Sequence, residues 1–383
     1  MNITIAGCGQ TKFGELWESS PRSLARQAVF TAIADSGVNK KSIQAIFVSN
    51  MLSEMLGMQS HLGALFAEEL GISVPAYTIE GACASGGLAV HSAINSLLSQ
   101  RYDTVLVLGV EKMTDHSSEY ISSALMGAGS NEERLAGATF PGLYALLARA
   151  HMEKYGTTES QLASVSVKNH FHASLNPLAQ FSHPLTLDQV MRSSYVATPL
   201  KLLDCSPISD GAAAIILQRS PTPKKNTVEI IASEIATDTL GLANRNSLTE
   251  LQSTRKAAKN AFTSCGIAPS DIDIAEVHDC FSIAEILAIE DIAFDKKGEV
   301  AKKMEQGEYR LDTGQGLVVN SSGGLKGCGH PIGATGVKQI IEIYNQLHGQ
   351  CKDRQVKNAR LGLTHNVGGT GATAVIHILK KHD

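Results

Sequence analysis

The chain has 383 residues, 43% hydrophobic and 18% charged, with 37 acidic against 33 basic residues and a net charge of −4. This composition excludes global disorder, and the lack of a lysine- and arginine-rich run argues against a nucleic-acid footprint. Glycine is abundant at 34 residues, aromatics are only 5%, and the seven cysteines stand without close pairs; this favours layered α/β packing in a reducing compartment over a disulfide framework or a zinc ribbon.

The first residues show no basic stretch followed by a long apolar segment, and no apolar run reaches the roughly 18 residues of a membrane helix. The expected location is therefore the cytoplasm, with no membrane contact. In chain order, the spacing predicts a helix over 22–36 stopped by Gly37, then a strand over 44–49. A glycine-rich turn, Gly81-Ala82-Cys83-Ala84-Ser85-Gly86-Gly87, feeds a helix with an apolar stripe of Val90, Ile94, Leu97 and Leu98. A strand over 104–108 follows. An insertion over about 115–205 mixes glycine-rich loops with helices at 143–154 and 158–173, and a strand runs over 211–217. Residues 218–226, with Pro221 and Pro223, form a linker by composition.

The order then repeats. A helix over 252–265 stops at Gly266, and a strand over 273–278 leads into His278-Asp279-Cys280-Phe281 and a helix over 282–292. Between 320 and 336, six residues are glycine; this run feeds a helix with the stripe Val337, Ile340, Ile341, Tyr344 and Leu347. A strand over 360–364, a loop over 365–371 and a last strand to 378 complete the pattern. Gly37 matches Gly266, and at the same offset Ala28 meets Ala257, Ala32 meets Ala261, Ile43 meets Ile272 and Val48 meets Val277. Two α/β halves are expected, 1–220 and 225–383, the first enlarged by the insertion.

In this alignment Cys83 and His330 fall at equivalent positions, each where a glycine-rich turn meets a helix N-terminus. Backbone N–H groups and the helix dipole there favour an anion and lower a thiol pKa. Cys83 reads either as a nucleophile or as a buried core cysteine. His278 and Cys280, two residues apart at a strand end, can both point into a ligand crevice, or act as a polar cap and a core cysteine. The glycine spacing around His330 matches neither a Walker loop nor a dinucleotide fingerprint. Cys328, Cys205, Cys8, Cys265 and Cys351 read as structural. His170, His172 and His183 read as polar residues of the insertion, and no metal site is expected. Ser321 and Ser322 are candidates for substrate contact or for turn capping.

The four segments around Cys83, His278–Phe281, His330–Gly336 and His365–Gly371 stand in the order seen in the thiolase superfamily, which the chain resembles over essentially its whole length. It is most similar to the sterol-carrier-protein-type and archaeal acetoacetyl-CoA thiolases. In these, His-Asp-Cys-Phe replaces the Asn-Glu-Ala-Phe of ordinary thiolases, and a histidine stands where those carry a catalytic cysteine, here His365. The segments Tyr155-Gly156-Thr157-Thr158, Val167-Lys168-Asn169-His170 and Asn176-Pro177 are similar to that branch too.

The resemblance implies a five-layered αβαβα fold of two duplicated halves with an inserted loop domain. It implies Claisen condensation of two acetyl-CoA, or thiolysis of a 3-oxoacyl-CoA, with Cys83 as nucleophile, His330 as its proton acceptor and Cys280 as acid/base. His278 and His330 would meet the enolate oxygen. The Cys83 N–H and an N–H from the stretch containing Asn366, Gly368 and Gly369 would form a second oxyanion hole. No permanently bound cofactor is implied; coenzyme A and acyl-CoA are substrates. A homodimer or homotetramer is implied, with a condensing synthase and a zinc-ribbon/OB-fold scaffold as further partners. Acyl transfer to a non-CoA acceptor and a non-catalytic acyl-CoA-binding scaffold are the alternatives.

Overall fold

The first half contributes β1 (Asn2–Gln10), β2 (Ala45–Ser49), β3 (Ala76–Ile79), β4 (Thr104–Glu111), a hairpin of β5 (Tyr195–Ala197) and β6 (Leu200–Lys201) in the insertion, and β7 (Gly211–Ser220). The second contributes β8 (Val228–Thr237), β9 (Ile274–Glu276), β10 (Val318–Val319), β11 (Leu361–Gly368) and β12 (Thr373–Lys381). The computed structural model describes residues 2–220, 222, 225–314 and 316–382; of the expected linker, Pro221, Pro223 and Lys224 lie outside the described residues.

The lateral order is β3-β2-β4-β7-β1 followed by β8-β12-β11-β9-β10. With β8 standing for β1, β9 for β2, β10 for β3, β11 for β4 and β12 for β7, the second order is the first reversed. The senses agree as well. β2 is parallel to β3 and β4, as β9 is to β10 and β11. β7 is antiparallel to β4 and β1, as β12 is to β11 and β8. The halves meet edge to edge where Thr4 and Ile5 of β1 oppose Glu229 and Val228 of β8. Strands covered on both faces run apolar throughout, and every residue of β2 and β4 is buried.

An outer helix, Pro21–Ser36, packs on β1 and β7. Ser20 caps its first turn by accepting from the Ser23 amide, and Gly37 stops it at φ 63°. Its counterpart, Gln252–Cys265, stops at Gly266 with φ 69° and packs on β8 and β12. Two inner helices, Ser85–Leu98 and Ile332–His348, lie against each other and against strands of both halves. The order is therefore helix, strands, inner helices, strands, helix, the αβαβα arrangement. The inner helices touch through their first turns: a Cβ on Gly86 would lie 2.7 Å from Gly336 N, and one on Gly336 would lie 2.3 Å from Gly87 N.

Two local expectations are corrected. The last strand of the inner pair runs on through Gly368, so His365, Asn366 and Gly368 are held on β11 by pairing with Ile376, Val375 and Thr373 of β12, not in a loop. Helix Ile332–His348 is buried nearly all round rather than along one stripe, because Lys338 pairs with Glu276 (3.0 Å) and Glu342 with Arg354. In the insertion, helices Phe140–Tyr155 and Glu159–Ser174 cover helix Ser282–Asp291. No helix among the described residues is long and apolar enough to cross a membrane.

Candidate active site

The backbone first fixes Cys83. After β3 the chain turns at Gly81, Ala82 adopts φ 53°, and Cys83 sits in a short 3-10 turn that runs into helix Ser85–Leu98. A left-handed alanine costs about 1 kcal/mol or more; here it turns the half-buried Cys83 towards a cavity of about 200 Å³. Asn366 of β11 clamps the turn from the other half. Its Oδ1 accepts from the Gly87 amide (3.0 Å), so its Nδ2 donates to the Cys83 carbonyl (2.8 Å).

That orientation decides a histidine tautomer. Asn366 Nδ2 also faces His278 Nδ1 at 3.4 Å, leaving His278 Nδ1 as the acceptor and Nε2 as the N–H. His278 Nε2 is buried and has no hydrogen-bond partner among the described residues. His330 is set the opposite way. The Thr335 hydroxyl donates to the Pro331 carbonyl (3.0 Å) and so accepts from His330 Nδ1 (2.7 Å), which leaves a lone pair on His330 Nε2. The two rings stand edge to face with centroids 5.2 Å apart. Cys83 Sγ and one nitrogen from each ring lie within 4.8 Å of one another. A thiol and two imidazole rings thus converge on one point. The same donor set is of the type that holds zinc.

Burial holds His330 down to about 3, helped by the Lys338 charge, and holds His278 well below its ordinary range, so both rings are neutral at neutral pH. Burial pushes the Cys83 thiol up to about 12, opposed by the Gly369 N–H on its sulfur. A neutral thiol beside a bare imidazole nitrogen is arranged for proton transfer at the moment of attack rather than for a standing thiolate.

His278, Asp279 and Cys280 alternate. His278 and Cys280 face the site, whereas Asp279 points away and accepts from Asn169 Nδ2 (2.7 Å) and the Leu325 amide (2.6 Å), tying the strand end to the short helix Gly324–Cys328 before His330. Burial, with Glu285 alongside, raises Asp279 to about 6. Cys280 lines the cavity with Cys83, His330, Gly369, Phe140, Phe281 and Tyr144, and its thiol is also pushed up by burial.

Other expected residues lie elsewhere. Ser321 donates to Glu342 (2.7 Å) and Ser322 to Glu276 (2.6 Å); both are fully buried and neither lines the cavity. Gly368 packs its α-carbon against Gly81, where a Cβ would lie 2.6 Å from the carbonyl oxygen; Gly369 supplies the N–H. The His365 ring turns outward to Thr254 (2.9 Å). His170 and His172 are on a buried helix, His172 bonded to the Asn320 carbonyl (2.9 Å) and the Leu311 amide (3.0 Å). Cys205, expected to be structural, lines the cavity. Tyr144 and Thr335 were not anticipated: an aromatic in an amphipathic helix and a threonine in a glycine-rich turn carry no signal of their own.

Two family models match the chain, the N-terminal thiolase domain over residues 3–220 and the thiolase C-terminal domain-like model over 235–381. An acetyl-CoA acetyltransferase of Methanothermobacter thermautotrophicus is 47% identical over 99% of this chain and 100% of its own. One of Methanocaldococcus jannaschii is 45% identical over 99% and 98%. Among solved structures, one titled "Ltp2-ChsH2(DUF35) aldolase" has the same fold, with a TM-score of 0.83 at 23% identity over 99% of this chain and 98% of that one.

Proposed function

The chain belongs to the thiolase family and is an acyltransferase, and from that premise we propose that it interconverts two acetyl-CoA with acetoacetyl-CoA and CoA through an acyl group on Cys83. The observation that carries this reading is the convergence of Cys83 Sγ, His278 and His330 within 4.8 Å, with Cys83, His330 and Cys280 lining one apolar cavity.

In the synthetic direction His330 Nε2 takes the Cys83 proton as the sulfur attacks the thioester carbon. Cys280 gives its proton to the departing CoA sulfur. The oxyanion of this step is served by the Gly369 and Cys83 amides; one such donor is worth ~3–4 kcal/mol of barrier. The Cys280 thiolate then removes a methyl proton from a second acetyl-CoA. The enolate oxygen faces the His278 Nε2–H, and the enolate carbon attacks the acyl group. Cys83 leaves as thiolate and recovers its proton from His330, so all three groups return to their starting forms.

Residues 1–220, with the insert at 115–205, and 225–383 serve as the two halves that carry nucleophile and base. The intact set of Cys83, His278, Cys280 and His330 counts against a non-catalytic scaffold. The similarity to a chain titled "Ltp2-ChsH2(DUF35) aldolase" supports a scaffold partner; a zinc-ribbon/OB-fold character for it, a condensing synthase, a homodimer or homotetramer and a cytoplasmic location rest on the thiolase resemblance alone. The test is CoA-dependent thiolysis of 3-oxoacyl-CoA esters of several chain lengths, with Cys83→Ala as control. Acetoacetyl-CoA is expected to be cleaved, and the variant to lose at least about 10⁴-fold. A wild-type protein that binds acyl-CoA without cleaving any member of the series would favour a non-CoA acceptor or a scaffold instead.

A further inference from the structure

Tyr144 is fully buried on helix Phe140–Tyr155 and stacked on Phe281 with ring centroids 4.5 Å apart, yet its hydroxyl ends among the reacting groups. It donates to the Gly369 carbonyl oxygen at 3.0 Å. The amide of that same Gly369 is the one on the Cys83 sulfur. The hydroxyl also lies near enough to the Cys280 thiol to hold its pKa down against burial, and all four residues line one cavity.

A phenol has one proton and can accept as well as donate. With that proton on the Gly369 carbonyl, the oxygen is left to accept from the Cys280 S–H. Once Cys280 has lost its proton, that arrangement fails, and the nearest charge for the phenol to serve is the thiolate.

We propose that Tyr144 is a positioning residue for both cysteines: it pins the Gly369 peptide that faces Cys83, and it turns its proton to the Cys280 sulfur whenever that sulfur is a thiolate. The proposal rests on the assignment of Cys280 as acid/base. No proton leaves Tyr144 in the cycle; its O–H rotates from the Gly369 oxygen to the sulfur and back as Cys280 loses and regains its own proton.

The substitution Tyr144→Phe keeps the ring and its stack on Phe281 and removes only the hydroxyl. In the full-length protein carrying Cys83→Ala, iodoacetamide labelling of Cys280 at about pH 8, followed peptide by peptide, is expected to fall roughly four- to tenfold, because the thiolate has lost a donor. Labelling of the remote Cys265 serves as the internal reference and stays the same. Placing 3-fluorotyrosine at 144, a stronger donor of the same shape, is expected to raise Cys280 labelling; a merely structural role would not produce opposite signs. With Cys83 intact, Tyr144→Phe is expected to lower kcat for thiolysis roughly ten- to hundredfold with little change in KM. Unchanged Cys280 labelling in Tyr144→Phe, or a fall in both analogues, overturns the proposal. Full thiolysis by Cys280→Ala would instead remove the acid/base assignment, an outcome the labelling does not depend on.

Discussion

Cys83 and His330 stand in matching turns before matching inner helices, yet the two turns are held by different means. The first is governed by backbone conformation and amides: a left-handed Ala82, the Gly369 amide on the sulfur, and the Asn366 side-chain amide on the Cys83 carbonyl. The second is governed by side chains: Thr335 fixes the ring, Ser209 accepts from the His330 amide (2.9 Å), and burial, helped by Lys338, keeps the imidazole uncharged. The difference follows from the work each does. A group that becomes an acylated sulfur beside an oxyanion is best served by amides, which neither titrate nor move. A proton acceptor needs one nitrogen committed so that the other stays bare, and a hydroxyl already donating elsewhere does that. The two halves share one topology, and the chemistry is divided by what surrounds each turn.

The harshest way to break the comparison is to disturb the surface both turns share. A Cβ on Gly336 would meet Gly87 N at 2.3 Å and Asn366 Oδ1 at 2.4 Å. Neither can retreat without moving the nucleophile turn. Gly336→Ala is expected to cost about 3 kcal/mol of stability in chemical denaturation and to lower thiolysis more than about a hundredfold. Asn366→Ala strikes the first turn alone. It leaves the Cys83 carbonyl and the Gly87 amide without their partner and frees His278 Nδ1. Steady-state kinetics should show kcat down by about a hundredfold and KM within about threefold, since orientation and not ground-state binding is lost.

Much of this was legible from residue order. The stops at Gly37 and Gly266, the alternation that sends His278 and Cys280 inward, and the matched positions of Cys83 and His330 are local patterns that survive folding unchanged. What was not legible depends on partners far along the chain. Asn366 is 283 residues from the carbonyl it clamps. β11 extends past its expected end because β12 pairs with it, and Ser321 and Ser322 lose their hydroxyls to Glu342 and Glu276. Buried charge on helix Ile332–His348 defeats a stripe analysis, because ion pairs make polar residues tolerable in the interior. Tyr144 belongs to the same class: its role comes from Gly369, 225 positions away.

A milder test addresses the second turn alone. Thr335→Val keeps the shape but removes the acceptor for His330 Nδ1. The ring can then present either nitrogen to the sulfur. kcat for thiolysis is expected to fall by about tenfold, and Cys83 alkylation at neutral pH should slow with it, while the Asn366 clamp and overall stability change little.

The smallest effect separates a histidine that works from histidines that are merely buried. Burial holds His330, His365 and His377 at about 3. In the unfolded chain each would titrate near ~6.5. Between those values the unfolded state binds protons that the folded state refuses, so stability is full above about pH 6.5 and is lost as the pH falls towards 3. The slope is up to about 1.4 kcal/mol per pH unit for each such ring. His377 lies on β12, where burial and the neighbouring His91 set its pKa, and it takes no part in the reaction. His377→Leu is therefore expected to flatten the fall in stability between about pH 6 and about pH 4 by about 1 kcal/mol per pH unit, with thiolysis at neutral pH unchanged. Taking the difference from the wild type cancels the opposing slopes of Glu111 and Asp279, whose pKa values are raised. His330→Asn should flatten the same slope and abolish thiolysis together. If the His377 variant keeps the wild-type slope, the buried rings are not held neutral by the interior, and the bare nitrogen assigned to His330 loses its physical basis.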